Sequence, residues 1–245
     1  MENKDSLLLV KSHAKAVADF SPILTDYSPM IVSHPFTKSG IVPYKSSDDN
    51  SSFEYLDITT SRENLKVWQQ MTKDIIDSCN SIEEVFTLVD PNYRLFFLGI
   101  IKNSVSKQMF SKLLADAYTN TEFPNSNPNV TKAEMIKMFK YADKETLMGE
   151  NDYEVYSKMK TPIKIYRGTS SAKKEHINAL SWTLSKKVAE KFANRYFCTG
   201  YVFEAEIDKK NILAFFSNMQ EAEVIVEPSQ LKNIKQINAD EPEKE

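Results

Sequence analysis

The sequence predicts an α+β protein, helical over residues 1–150, β-rich over 151–237, and closed by a short acidic tail at 238–245. Three observations carry this reading. Apolar residues recur at three- and four-residue steps through much of 61–141, the mark of amphipathic helices. Near residue 160 the period drops to two, the mark of half-buried strands. A hydrophobic fraction of 41% is enough to build a core and excludes a disordered chain.

Residues 1–60 mix short apolar runs with Pro22, Pro29, Pro35 and Pro43, and KSSDDNSS at 45–52 reads as a polar loop. Residues 61–79 read as a helix, with Leu65, Trp68, Met71, Ile75 and Ile76 on one stripe. Ser81 opens a second pattern through Ile82, Val85, Phe86 and Val89, which Pro91 breaks. Helical spacing continues from Tyr93 to Tyr118 as one long helix or two shorter ones. NTEFPNSNPN at 120–129 is loop by composition. Thr131 with Glu134 three residues on forms a capping box ahead of Met135, Ile136, Met138 and Phe139.

In the β-rich part, Ile163, Ile165 and Arg167 alternate along one strand side, and Arg167 reads as the strand's end. Ser181, Thr183 and Ser185 alternate with Leu180, Trp182 and Leu184. Tyr201, Phe203, Ala205 and Ile207 form a third alternation, and Glu221, Glu223 and Ile225 oppose Ala222, Val224 and Val226 in a fourth. One helix interrupts the strands, with Ser185 as N-cap and Val188, Ala189, Phe192, Ala193 and Tyr196 as its inner stripe.

Composition narrows the function classes. A formal net charge of −3 gives no broad basic signature, which weakens any reading as a general nucleic-acid coat protein. Cys79 and Cys198 are too few for a disulfide framework, and no Cys/His cluster has metal-ligand spacing. His13, His34 and His176 are scattered and read as structural or solvated. Two isolated thiols suit a reducing compartment. No apolar run is long enough to cross a bilayer and no secretory signal is evident. The expectation is a cytoplasmic protein with no membrane partner and no metal.

The candidate chemistry lies in three segments, IKIYRGTSS, ALSWTLSKKVAEKFA and QEAEVIVEP. They carry Arg167, Ser181 and the pair Glu221/Glu223 in that order. A guanidinium pairs bidentately with phosphate in a way lysine cannot reproduce. A carboxylate beside an anomeric carbon stabilises the positive charge that develops when a glycosidic bond opens. Glu223 is the candidate for that role. Glu221, two residues away on a strand, would share its face and raise one carboxylate's proton affinity. Gly168 would let backbone approach a ligand closely. Ser181 and Thr183 present a face without bulk, and Ser181 can hold Glu223 in place. Tyr196 and Phe197 offer an aromatic surface on which a planar ring could stack. A second Glu-x-Glu, Glu204/Glu206, comes too early in this order and is set aside.

With these motifs the last third of the chain resembles the arginine–serine–glutamate class of mono-ADP-ribosyltransferases, which includes cholera-toxin-like and clostridial binary toxins and many phage and bacterial effectors. YRG stands for the family's arginine, SWT for its Ser-Thr-Ser strand with Trp182 as a departure, and EAEVIVEP for its Glu-x-Glu strand. The resemblance implies a split β-sandwich binding NAD as co-substrate between its sheets. It implies catalytic roles for Glu223, Glu221, Arg167 and Ser181, and NAD contacts by Arg167, Gly168, Ser181, Thr183, Tyr196 and Phe197. It makes AFFSNMQ an acceptor-recognition loop, with Phe216 and Asn218 as contacts. The implied function is transfer of ADP-ribose to a macromolecule, first a protein arginine. The alternatives are ADP-ribosylation of RNA or DNA by a toxin of a toxin–antitoxin or phage-defence system, with an antitoxin or inhibitor protein as partner, and an inactive NAD- or partner-binding module. Residues 1–150 match no motif and are open to a target-recognition role.

Overall fold

The structure, a computed structural model, describes residues 4–45, 54–121, 126–171, 173–195, 200–217 and 221–237. The chain forms two compact units, residues 1–122 and 123–245. Among the described residues no helix is long and apolar enough to cross a membrane.

The first unit holds helices α1 (Lys4–Ala18), α2 (Arg62–Ser78), α3 (Ile82–Leu88), α4 (Pro91–Ile101) and α5 (Lys107–Thr119). Two antiparallel pairs accompany them: strands β1 (Ile23–Leu24) with β2 (Val32–Ser33), and β3 (Ile41–Tyr44) with β4 (Glu54–Asp57). Val10, Ile76, Val85, Phe86, Leu95, Leu98, Phe110 and Leu114 are all at most 1% exposed and make its core. The helix starts are set by side chains: Ser61, Ser81, Asp90 and Ser106 each accept a first-turn backbone N–H. Pro91 therefore does more than end the preceding pattern. It opens α4 at a position where its missing N–H costs nothing. The 93–118 pattern resolves into two helices because Ser106 caps a new one. Helix α1 is absent from the sequence reading. Its buried residues are Val10, Ala14, Val17 and Ala18, a stripe too small in side-chain volume to stand out beside the contiguous run Leu7–Val10. Most of KSSDDNSS lies outside the described residues.

The second unit holds α6 (Lys132–Tyr141), α7 (Lys144–Lys158), β5 (Ile163–Thr169), α8 (Lys174–Ile177), β6 (Ser181–Thr183) and α9 (Lys186–Ala193), then β7 (Tyr201–Ile207), β8 (Ile212–Phe216), β9 (Glu223–Val226) and β10 (Lys232–Ile237). The capping box forms as expected: the Glu134 N–H donates to Thr131 Oγ1 at 3.3 Å, and the Thr131 N–H to Glu134 Oε2 at 2.8 Å. Helix α7 breaks at Gly149, whose φ of 71° lies in the left-handed region. The sequence places a boundary at residue 150, but the compact unit begins at 123. The reason is bonding of α7 to the strands. Lys144 Nζ donates to Ile212 O at 2.6 Å, and the Ser217 N–H donates to Asp152 Oδ2 at 3.0 Å.

Six strands form one antiparallel sheet in the order β10-β7-β5-β6-β9-β8. Strands β5 and β7 pair at seven positions, whereas β5 and β6 share one, Tyr166 opposite Thr183. The sheet thus consists of two three-stranded halves joined by a short seam. Trp182 points into the core at 2% exposure, with its indole N–H donating to Ala179 O at 3.1 Å. Helix α9 begins at Ser185 as expected and buries Ala189 and Ala193 against Val202, with Tyr166 and Ile237 beside them. Three sequence expectations are corrected. Arg167 is not the strand end, since β5 runs to Thr169. Ala214, Phe215 and Phe216 are strand β8, not loop. Glu221 and Ala222 precede β9 and do not continue it.

Candidate active site

Strands β5, β6 and β9 lie side by side, and each contributes one residue of the predicted trio. Arg167 stands on β5, Ser181 opens β6 and Glu223 opens β9. Arg167 Nε donates to His176 O at 2.6 Å, and Nη1 donates to Ser181 O at 2.5 Å. The Ser181 hydroxyl in turn donates to Glu223 Oε1. Partners 14 and 42 residues apart in sequence are joined in one chain of bonds. Two carbonyls fix the guanidinium plane, and charge-assisted bonds of this kind are roughly twice as strong as neutral ones.

Glu223 is half-buried, and its carboxyl holds its proton more tightly than a free glutamate. Withdrawal from water is the main cause; the nearby Glu221 charge adds to it, while the Ser181 hydrogen bond and the Arg167 charge oppose it. The expected coupling of the two carboxylates is present, but not through strand alternation. Ala222 between them has φ 44°, a left-handed conformation that costs a residue with a Cβ about 1 kcal/mol. Glu221 is therefore set by the left-handed residue between it and the strand.

Thr183 is 6% exposed and its hydroxyl is committed to backbone. It donates to Glu221 O at 2.5 Å and accepts the Ser185 N–H at 3.0 Å. Its expected open, ligand-facing role is not what the geometry displays. Gly168 has a packing reason of its own. A Cβ there would lie 1.7 Å from Ala189 O and 2.6 Å from the Ala193 nitrogen, so the close approach is that of α9 to β5. Phe216 is 4% exposed on β8, opposite Glu223, and is core where an acceptor contact was expected. Tyr196, Phe197 and Asn218 lie outside the described residues. The set-aside pair is engaged elsewhere: Glu204 sits between Lys164 at 3.3 Å and Lys235 at 3.0 Å, and Glu206 accepts from Asn233 at 2.7 Å.

Two site members escape the sequence reading. The carbonyl of His176 holds Arg167, and a carbonyl leaves no residue-type signal. The Thr183–Glu221 bond needs the register of β6 on β9, which local pattern does not contain. Compared with protein-family models, with curated proteins and with solved structures, the chain matches none.

Proposed function

We propose that this protein transfers ADP-ribose from NAD to a macromolecular acceptor with release of nicotinamide, a protein arginine being the first acceptor to test. One observation carries the proposal: Arg167, Ser181 and Glu223, far apart in sequence, are linked in order across three adjacent strands. The sheet divided at a one-pair seam is consistent with a sandwich of two halves. NAD would supply the C–N glycosidic bond that breaks, its electron pair leaving on the nicotinamide nitrogen.

The residues fit that substrate. Arg167 is a cation of fixed orientation, suited to a diphosphate. Glu223 is a half-buried carboxylate, suited to the positive charge that develops at the anomeric carbon. In partial burial that charge interaction is stronger than in water. Ser181 fixes the rotamer of Glu223 with one donated hydrogen bond. In this reading Glu221, just ahead of β9, would accept the proton released when the acceptor nitrogen bonds to the anomeric carbon. Because Glu223 acts ionised and its proton affinity is raised, activity should rise with pH through its titration.

The test is incubation with NAD labelled in the adenosine part and with whole-cell lysate, followed by separate protease and ribonuclease digestion, with nicotinamide release measured in parallel. Protease-sensitive label with nicotinamide release is the expected result. Ribonuclease-sensitive label would move the acceptor to RNA. No nicotinamide release under any condition would leave a binding module and end the enzymatic reading.

A further inference from the structure

We infer that Thr183 is a positioning residue whose hydroxyl, together with the left-handed Ala222, sets where the Glu221 carboxylate stands relative to Glu223. The consequence for catalysis rests on the proposed transferase reading; the geometric claim does not.

Strand β6 presents Ser181 and Thr183 two residues apart, and the adjacent antiparallel segment, β9 with the residues just before it, presents Glu223 and Glu221 two residues apart in the opposite direction. Ser181 holds Glu223 through its side chain. Thr183 holds Glu221 through its main chain, by the 2.5 Å bond to Glu221 O. The same hydroxyl accepts the Ser185 N–H at 3.0 Å, and Ser185 caps α9. One buried oxygen therefore ties the Glu221 backbone to the start of a helix. The next residue completes the clamp: the Leu184 N–H donates to Ala222 O at 3.0 Å. Two consecutive carbonyls, of Glu221 and Ala222, are thus held from the end of β6.

This clamp explains why a residue with a Cβ occupies φ 44° at position 222. Such a conformation persists when surrounding bonds over-determine it. Thr183 also lies at the seam, opposite Tyr166 on one side and Glu223 on the other. A shift at the seam would reach Glu221 through Thr183. In an uninterrupted strand, Glu221 would simply repeat the facing of Glu223. The left-handed Ala222 instead gives it a direction of its own, held by the Thr183 hydroxyl and the Leu184 N–H.

The test is a double-mutant cycle read by carbon-13 NMR titration of Glu223, which needs neither NAD nor an acceptor. Glu221→Gln should lower the Glu223 midpoint by removing a like charge, and this sets the full effect. Thr183→Val, near in size but lacking the hydroxyl, should lower it in the same direction by a large part of that amount. Thr183→Ser should restore the wild-type midpoint. In a Glu221→Gln background, Thr183→Val should cause no further shift. If Thr183→Val does not fold, Thr183→Ala and Ala222→Val report the same displacement, the latter because a β-branched residue disfavours the left-handed backbone at that position. An equal shift by Thr183→Val with and without Glu221, or no shift at all, overturns the inference. Acceptor labelling should fall at least tenfold in Thr183→Val and recover in Thr183→Ser. If wild-type protein never cleaves NAD, the transferase reading fails while the titration still decides the positioning role.

Discussion

His34 in the first unit and Glu223 in the second are both ionisable groups that burial pushes toward the neutral form, and they differ in the charges that stand beside them. His34 is 1% exposed and burial lowers its pKa to about 4. Its Nδ1 accepts the Phe36 N–H at 3.1 Å, so Nε2 carries the proton and donates to Phe20 O at 3.2 Å. The ring sits edge-on to Trp68 at 4.9 Å. Burial favours the neutral form and outweighs the Phe20 carbonyl bond, which favours the charged one, so the group is silent near neutral pH. Glu223 instead stands between a guanidinium that favours its charge and a second carboxylate that opposes it. The contrast teaches that burial alone marks neither region as functional. What differs is the neighbours: His34 has only neutral groups around it, whereas Glu223 has a guanidinium and a second carboxylate.

The largest expected effect breaks the comparison at Glu223. Glu223→Gln should reduce nicotinamide release by a factor on the order of 100 or more, about 3 kcal/mol of barrier. The same substitution should leave the protein at least as stable at neutral pH. Glu223 has a raised pKa in the fold, so its contribution to stability is present in full below the unfolded value and is lost as pH rises through the folded value. Gln cannot ionise and avoids that loss. Calorimetry alongside a nicotinamide assay checks both; a fully active, folded Glu223→Gln protein removes the mechanism.

Next is Gly168, where a ligand role and a packing role diverge. Gly168→Ala should destabilise the second unit by about 3 kcal/mol, because the added Cβ meets helix backbone that cannot swing aside. Chemical denaturation measures this, and an unchanged midpoint would return Gly168 to a ligand-facing role.

The acid limb of stability tests His34. Its folded pKa is depressed from 6.5 to about 4, so the unfolded chain binds the proton more readily between those values. The contribution is complete above 6.5 and is lost as pH falls through about 4, amounting to roughly 3 kcal/mol. His34→Gln should flatten this part of the stability profile. A steep acid limb surviving in that variant would assign it to other groups.

The smallest effect is at Arg167. Arg167→Lys keeps a positive charge but cannot make both carbonyl bonds in one plane. NAD affinity should fall about tenfold, close to 1.4 kcal/mol, in a calorimetric titration. Unchanged affinity would reduce Arg167 to a structural clamp between His176 and Ser181.

Local chemistry determined much of this protein from sequence alone. The caps at Thr131 and Ser185, the helices through Trp68 and Phe86, the alternation from Tyr201 to Ile207 and the inward-facing Trp182 follow from side-chain period and from hydrogen bonds spanning a few residues. So did the chain order of Arg167, Ser181 and Glu223. Tertiary structure alone decided that β6 lies between β5 and β9, that Gly168 accommodates a helix, that Phe216 is core and that Ala222 turns Glu221 out of the strand. The physical reason is one of range. Periodicity reports which face of an element leaves water, whereas the partner that covers it is chosen by packing and register between segments dozens of residues apart.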